Sequence, residues 1–240
     1  MKNLGIIGYG HFGKFIATEL DSYFIVKIFS ENDIDIEHSA SFNEVAQCDY
    51  VVLAVPISAY EEVCEKLKPI LRPDTIIVDV CSVKEESSNI IKGVLPNQLL
   101  ISIHPLFGPE SAAGNLKDHV LVMCPDMTTE NLLQPCQDFF EGLGLKVVKM
   151  PSSEHDQSMA TVQGLTFFIA RILESFDLQS SKLITPSFRR LVALAELEKH
   201  HTEELFVTIQ NGNPYAEGVR RKFIERAQEI EAFLVKDKIL

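Results

Sequence analysis

His104 ends an apolar run, Leu99–Ile103, and is followed by Pro105, Gly108 and Pro109. Those residues neither extend a strand nor open a helix easily. The pattern predicts an imidazole lifted off the end of a buried strand onto a stiff loop. In open α/β sheets that is the rim where ligands bind. A lone histidine there is more often a capping or core-edge residue, so its neighbours matter. Thr75–Val80 reads as another strand, running into Cys81-Ser82-Val83-Lys84, and this places Ser82 on the same rim. A serine before Glu85 and Glu86 also suits the N-cap of a helix. The two roles are compatible, because a hydroxyl both donates and accepts.

The elements that carry this rim follow from periodicity. Asn3–Ile7 is a short apolar run followed by Gly8-Tyr9-Gly10-His11-Phe12-Gly13, a GxGxxG pattern, and then by Phe15, Ile16 and Leu20 at helical spacing. Strand, glycine turn and helix in that order form a dinucleotide-binding signature. Gly8 permits the turn, Gly10 lets the backbone approach a pyrophosphate, and Gly13 lets helix and strand pack closely. Phe24–Phe29 is the second strand, with Ser30 where NAD-preferring folds place an acid and Glu31 next. Ser30 tolerates a 2′-phosphate and Glu31 repels one, so NAD and NADP both stay open. Tyr50–Val55 is apolar throughout, as a strand buried on both faces should be. Its end, Ala54-Val55-Pro56, should lie beside the nicotinamide ribose.

Tyr60–Leu71 and Glu130–Leu143 read as helices, and His119–Cys124 and Leu145–Met150 as strands. The expected fold is therefore α/β: a Rossmann-type doubly wound parallel sheet of seven or eight strands over residues 1–150. Pro151 marks a change. Residues 151–240 show helical periodicity alone, with a long helix from Ser152 and others near Phe188–Lys199, Glu203–Asn211 and Ala216–Val235. About ninety such residues make a marginal free-standing core, which predicts a homodimer packed through them.

Composition narrows the function classes. A formal net charge of −12, with no basic run, argues against a nucleic-acid surface. Any anionic substrate must then be drawn by a local positive site. Five cysteines without a CxxC pair predict reduced thiols and a cytoplasmic protein, and His200-His201 reads as surface rather than as part of a metal site. No run approaches the ~18 apolar residues that a membrane helix needs.

GYGHFG, DVCSVK, HPLFGPES and EHDQSMATVQGLTFF, in this order, resemble the prephenate/arogenate dehydrogenase family of tyrosine biosynthesis, in its monofunctional form. The likeness spans nearly the whole chain, and the histidine loop and the DxxSVK element are its specific parts. It implies an NAD(P)-dependent oxidative decarboxylation of prephenate to 4-hydroxyphenylpyruvate, or of arogenate to tyrosine. It implies His104 as the base on the ring hydroxyl, or as the hydrogen-bond acceptor that polarises it, and Ser82 bonded both to that hydroxyl and to the imidazole. It assigns His155, Gln163 and Arg189 to the substrate cleft, with Arg190 beside Arg189. Two positions depart from the family pattern: Phe167 where many members have a second histidine, and Leu197 where many have a carboxylate-binding arginine. These departures motivate two alternatives, arogenate as the substrate and a non-catalytic nucleotide sensor.

Overall fold

A computed structural model describes residues 1–31, 37–112, 114–180, 182–197 and 201–237. They form two compact units, Met1–His155 and Asp156–Leu240. The first unit is built on a seven-stranded sheet: β1 (Asn3–Ile7), β2 (Ile25–Phe29), β3 (Tyr50–Leu53), β4 (Ile76–Asp79), β5 (Leu99–Pro105), β6 (Val120–Met123) and β7 (Lys146–Lys149). The strand order is β2-β1-β3-β4-β5-β6-β7. All neighbours are parallel except β5 and β6.

The sheet is thus the doubly wound, mostly parallel one expected, with a single antiparallel pair that the link between its strands explains. Among the described residues between β5 and β6, the four-residue helix α5 (Pro109–Ala112) alone forms, too little for a crossover. Strand residues alternate between two cores. Ile6, Val52, Val78, Ile101 and Ile103 face one side with α1 (His11–Leu20) and α6 (Leu133–Gly142). Ile7, Leu53, Ile77 and Leu100 face the other with α2 (Phe42–Ala46), α3 (Tyr60–Leu67) and α4 (Lys84–Val94). This doubly wound layering follows from the period-two placement of branched aliphatics. None of the five cysteines is in a disulfide, and four of them are buried.

The second unit is helical among its described residues. A π-helical stretch, Ala160–Leu165, precedes α8 (Thr166–Leu173). Then come α9 (Pro186–Leu197), α10 (Glu203–Val207), a second π-helical stretch at Thr208–Gly212, and α11 (Ala216–Asp237). The helix expected to reach Lys199 is described to Leu197, and Lys199 and His200 lie outside the described residues. Gln210 Nε2 donates to the Gly164 carbonyl at 2.7 Å, so the two π-helical stretches are tied to each other. Arg220 Nη1 donates in turn to the Gln210 side-chain oxygen at 2.8 Å. No helix among the described residues is long and apolar enough to cross a membrane.

Candidate active site

The β4–β5 register pairs Asp79 with Ser102, so the carboxyl ends of two adjacent parallel strands lie side by side. Ser82 follows one end and His104 the other. Leu100, Ser102 and His104 alternate onto the sheet face that α3 and α4 cover. His104 is not lifted onto a loop. It lies inside β5, opposite Val122 of β6, and is 5% exposed.

The partner of His104 also differs from expectation. Its Nδ1 lies 2.9 Å from Nε2 of His155, with the rings edge to face. His155 sits in the first turn of α7 (Ser152–Met159) and is fully buried. Asp126 fixes that turn by accepting from the Ser152 amide and hydroxyl. The expected bond between Ser82 and the imidazole is therefore absent; the histidine pair takes its place. Ser82 does not cap α4 either, since Val83 is the N-cap residue and no side chain caps that end. The Ser82 hydroxyl oxygen is buried without a hydrogen-bond partner. A buried orphan hydroxyl costs free energy unless a ligand satisfies it.

Burial, His155 and the Lys84 charge together push the His104 pKa well below its usual 6.5. A buried imidazole resists charging, and neighbouring positive charge adds to that resistance. His104 is thus a neutral acceptor throughout the physiological range. The same shift is a statement about stability. The unfolded chain binds a proton on this residue near pH 6.5, whereas the folded chain does so only well below it. Stability linked to His104 is full above about pH 6.5 and is lost as pH falls toward the folded value. Urea midpoints taken between roughly pH 7.5 and 5 should fall with acidification, and less steeply for His104→Asn. Equal slopes would deny the coupling.

The glycine loop completes the rim. Gly8 has φ +102°, and a Cβ there would strike the Ala54 carbonyl, so the loop rests against Ala54 and Val55. A Cβ on Gly13 would strike the Gly8 carbonyl oxygen, whereas one on Gly10 would meet open space. Gly10 N-caps α1 without a side-chain bond, and the first turn carries no acid. An uncapped, acid-free helix start beside open space fits a pyrophosphate. Tyr9 and Phe12 are half-buried and His11 is exposed. Gly13→Ala should abolish measurable nucleotide binding, while Gly10→Ala should leave the fold intact. Calorimetric titration with NAD⁺ checks the first and thermal melting the second. Ser30 directly follows β2, and Glu31 lies 3.5 Å from Lys66, a cation that the sequence reading had not placed there.

The family model described as "Prephenate dehydrogenase, nucleotide-binding domain" matches residues 25–149, just over half of the chain. The chain belongs to the prephenate dehydrogenase family. Among relatives, it is 27% identical over 219 residues to a probable arogenate/prephenate dehydrogenase of Methanocaldococcus jannaschii, which covers 87% of this chain and 48% of the relative. It is 27% identical over 230 residues to arogenate dehydrogenase 1 of Arabidopsis thaliana, covering 89% and 36%. The chain thus spans about half or less of the length of these two relatives. A structure of prephenate dehydrogenase from A. aeolicus, in complex with hydroxyphenyl propionate and NAD⁺, superposes with a TM-score of 0.77 at 22% identity. That comparison covers 99% of this chain and 92% of the other, and it shows a shared fold.

In this member of the prephenate dehydrogenase family, the first unit brings His104, His155, Ser82 and the glycine loop onto one rim. Gln163, Arg189 and Arg190 belong to the second unit. Gln163 is half-buried in the first π-helical stretch, and both arginines are exposed on α9. Phe167, at the family's second-histidine position, is buried, and its ring stacks on His201 with centroids 4.5 Å apart. His201 is therefore half-buried rather than the surface residue expected. Among the described residues no cluster suits a metal ion.

Sequence reasoning missed the charged floor of the site. Asp79 and Lys84 form a fully buried ion pair at 2.8 Å. The available signal was Asp79 itself, a carboxylate inside an otherwise apolar strand, which must find partners if buried.

Proposed function

We propose that this chain oxidatively decarboxylates prephenate to 4-hydroxyphenylpyruvate with NAD(P)⁺. The observation that carries the reading is the neutral-held His104 on β5 with the orphan Ser82 hydroxyl just past the end of the adjacent strand β4, on the rim that also holds the glycine loop. Gly8, Gly10, Gly13 and the start of α1 would hold the pyrophosphate, with Ser30 at the ribose and Ala54, Val55 and Pro56 beside the nicotinamide ribose. When bound, the nicotinamide supplies the hydride acceptor.

The chain's own groups handle the proton. The His104 imidazole accepts the proton of the ring 4-hydroxyl as hydride leaves the same carbon. Ser82 donates to that oxygen and so satisfies its own buried hydroxyl. The ring carboxylate departs as CO₂ and the ring becomes aromatic. His104 then returns its proton to the phenolate, so the base is regenerated without net proton release. His155 holds the His104 ring by its other nitrogen, leaving the reacting nitrogen to the substrate. In the second unit, Arg189 and Arg190 offer cations for a substrate carboxylate and Gln163 a polar contact. Arg189→Ala should chiefly raise the substrate KM, measured in steady state; an unchanged KM would move the carboxylate contact elsewhere. We further propose a homodimer through the helical unit. Phe176, Ile230 and Phe233 there are each more than half exposed, which supports a covering partner.

Arogenate is the second reading, favoured by Leu197 at a carboxylate-arginine position. Arogenate carries an amino group where prephenate has a keto oxygen. A two-by-two assay of both acids against NAD⁺ and NADP⁺, followed at the reduced-nicotinamide absorbance, tests the proposal. Turnover is expected in at least one combination. Silence in all four would leave only a nucleotide-binding role.

A further inference from the structure

Lys84 is fully buried, and its ammonium is paired with Asp79. It donates to the Asp79 side-chain Oδ2 at 2.8 Å, to the Asp79 carbonyl at 3.3 Å and to the Ile103 carbonyl at 2.6 Å. Ile103 immediately precedes His104, and Ser82 lies between Asp79 and Lys84 in the chain. One ammonium therefore spans the end of β4, the start of α4 and the β5 backbone next to the imidazole.

Asp79 anchors the other end. Its Oδ2 also accepts from the hydroxyls of Ser87 at 2.7 Å, Ser88 at 3.2 Å and Ser102 at 3.3 Å. Its Oδ1 accepts from the Tyr60 hydroxyl at 3.2 Å and from the Cys81 amide at 3.0 Å. The Cys81 amide belongs to the turn that carries Ser82. Every donor group here is buried or half-buried, which makes this an ordered polar network rather than a surface ion pair.

We propose that Lys84 is a positioning residue, whose clamp between Asp79 and the Ile103 carbonyl fixes the Ser82 turn against His104 and presents a fixed positive charge to that imidazole. A buried pair of this kind costs desolvation, and a hydrophobic pair of similar volume is often as stable. Retaining it makes sense if the charge has a second use. Holding His104 neutral is such a use, and the Lys84 charge is among the causes that lower its pKa. Among the described residues, the charged influences on His104 are Lys84 and His155, and His155 is followed in α7 by the buried Asp156. β4 brings Asp79, α4 brings Lys84, and the first turn of α7 brings His155. β6 brings Val120–Met123, which carries no titratable side chain.

The inference rests on the dehydrogenase reading, so its test includes a readout that needs no turnover. Lys84→Met alone strands the Asp79 carboxylate and can fail to fold; Lys84→Met with Asp79→Asn removes both charges together. The His104 ring would be titrated by NMR in the native chain and in the double variant, alongside kcat against pH. We expect the His104 titration and the acid limb of kcat both to move to higher pH. We also expect kcat at neutral pH to drop about tenfold, with the nucleotide Kd unchanged. A folded double variant whose His104 titrates as in the native chain, with kcat within twofold, would overturn the proposal. A shifted titration in a chain that turns over neither acid would uphold the Lys84 assignment and sink the dehydrogenase reading instead.

Discussion

Replacing His104 with asparagine should lower kcat by about 10²–10⁴-fold, the range for a positioned general base. Asparagine can still meet the His155 nitrogen that now lies 2.9 Å from His104 Nδ1, so the rim should persist. What it lacks is a nitrogen able to take the ring hydroxyl's proton. The loss should therefore fall on kcat, with the nucleotide Kd little changed, because the Gly8–Gly13 loop is built without this side chain. The variant's residual rate should also lose the acid limb assigned to His104. Steady-state kinetics with the better of the two acids decides the matter. A kcat within a few-fold of native would remove His104 from the chemistry.

Asp79→Ala should be the most destabilising single change. It leaves the Lys84 ammonium fully buried with its carboxylate gone, and it also deprives Tyr60, Ser87 and Ser88 of an acceptor. Breaking a buried pair from one side costs about 3–5 kcal/mol. That is comparable with much of the stability of an ordinary domain. Urea unfolding followed by far-UV circular dichroism should show the midpoint collapse. Pairing Asp79→Asn with Lys84→Met should restore most of it, since no charge is then stranded. If Asp79→Ala unfolded at the native midpoint, the ion pair would have no structural weight.

How much of this was legible beforehand depended on what kind of signal each residue leaves. Asn3–Ile7 and the glycine loop were read correctly because a turn with positive φ at Gly8 and a close approach at Gly13 tolerate few other residues. The strands emerged from apolar runs bounded by turn residues, and their ends moved by only a residue or two. The direction of β6 was not legible, because strand periodicity carries no sense of direction. His104 was assigned to a loop because Pro105 follows it, yet a proline can close a strand at its last position. Its pairing with His155, 51 residues away, left no local trace. The family resemblance had brought His155 to the site but had given Ser82 the imidazole. The Asp79–Lys84 floor was half visible: a charge inside a buried strand demands partners, but which partners is a matter of tertiary packing.

Under the proposed function, hydride removal and decarboxylation are coupled one to one on this rim. The most direct measurement is the stoichiometry of reduced nicotinamide, CO₂ and aromatic product in a single reaction of the native chain. One of each per molecule of ring acid consumed is the predicted result. Aromatic product formed without reduced nicotinamide, reduced nicotinamide formed without CO₂, or no product at all would contradict the claim.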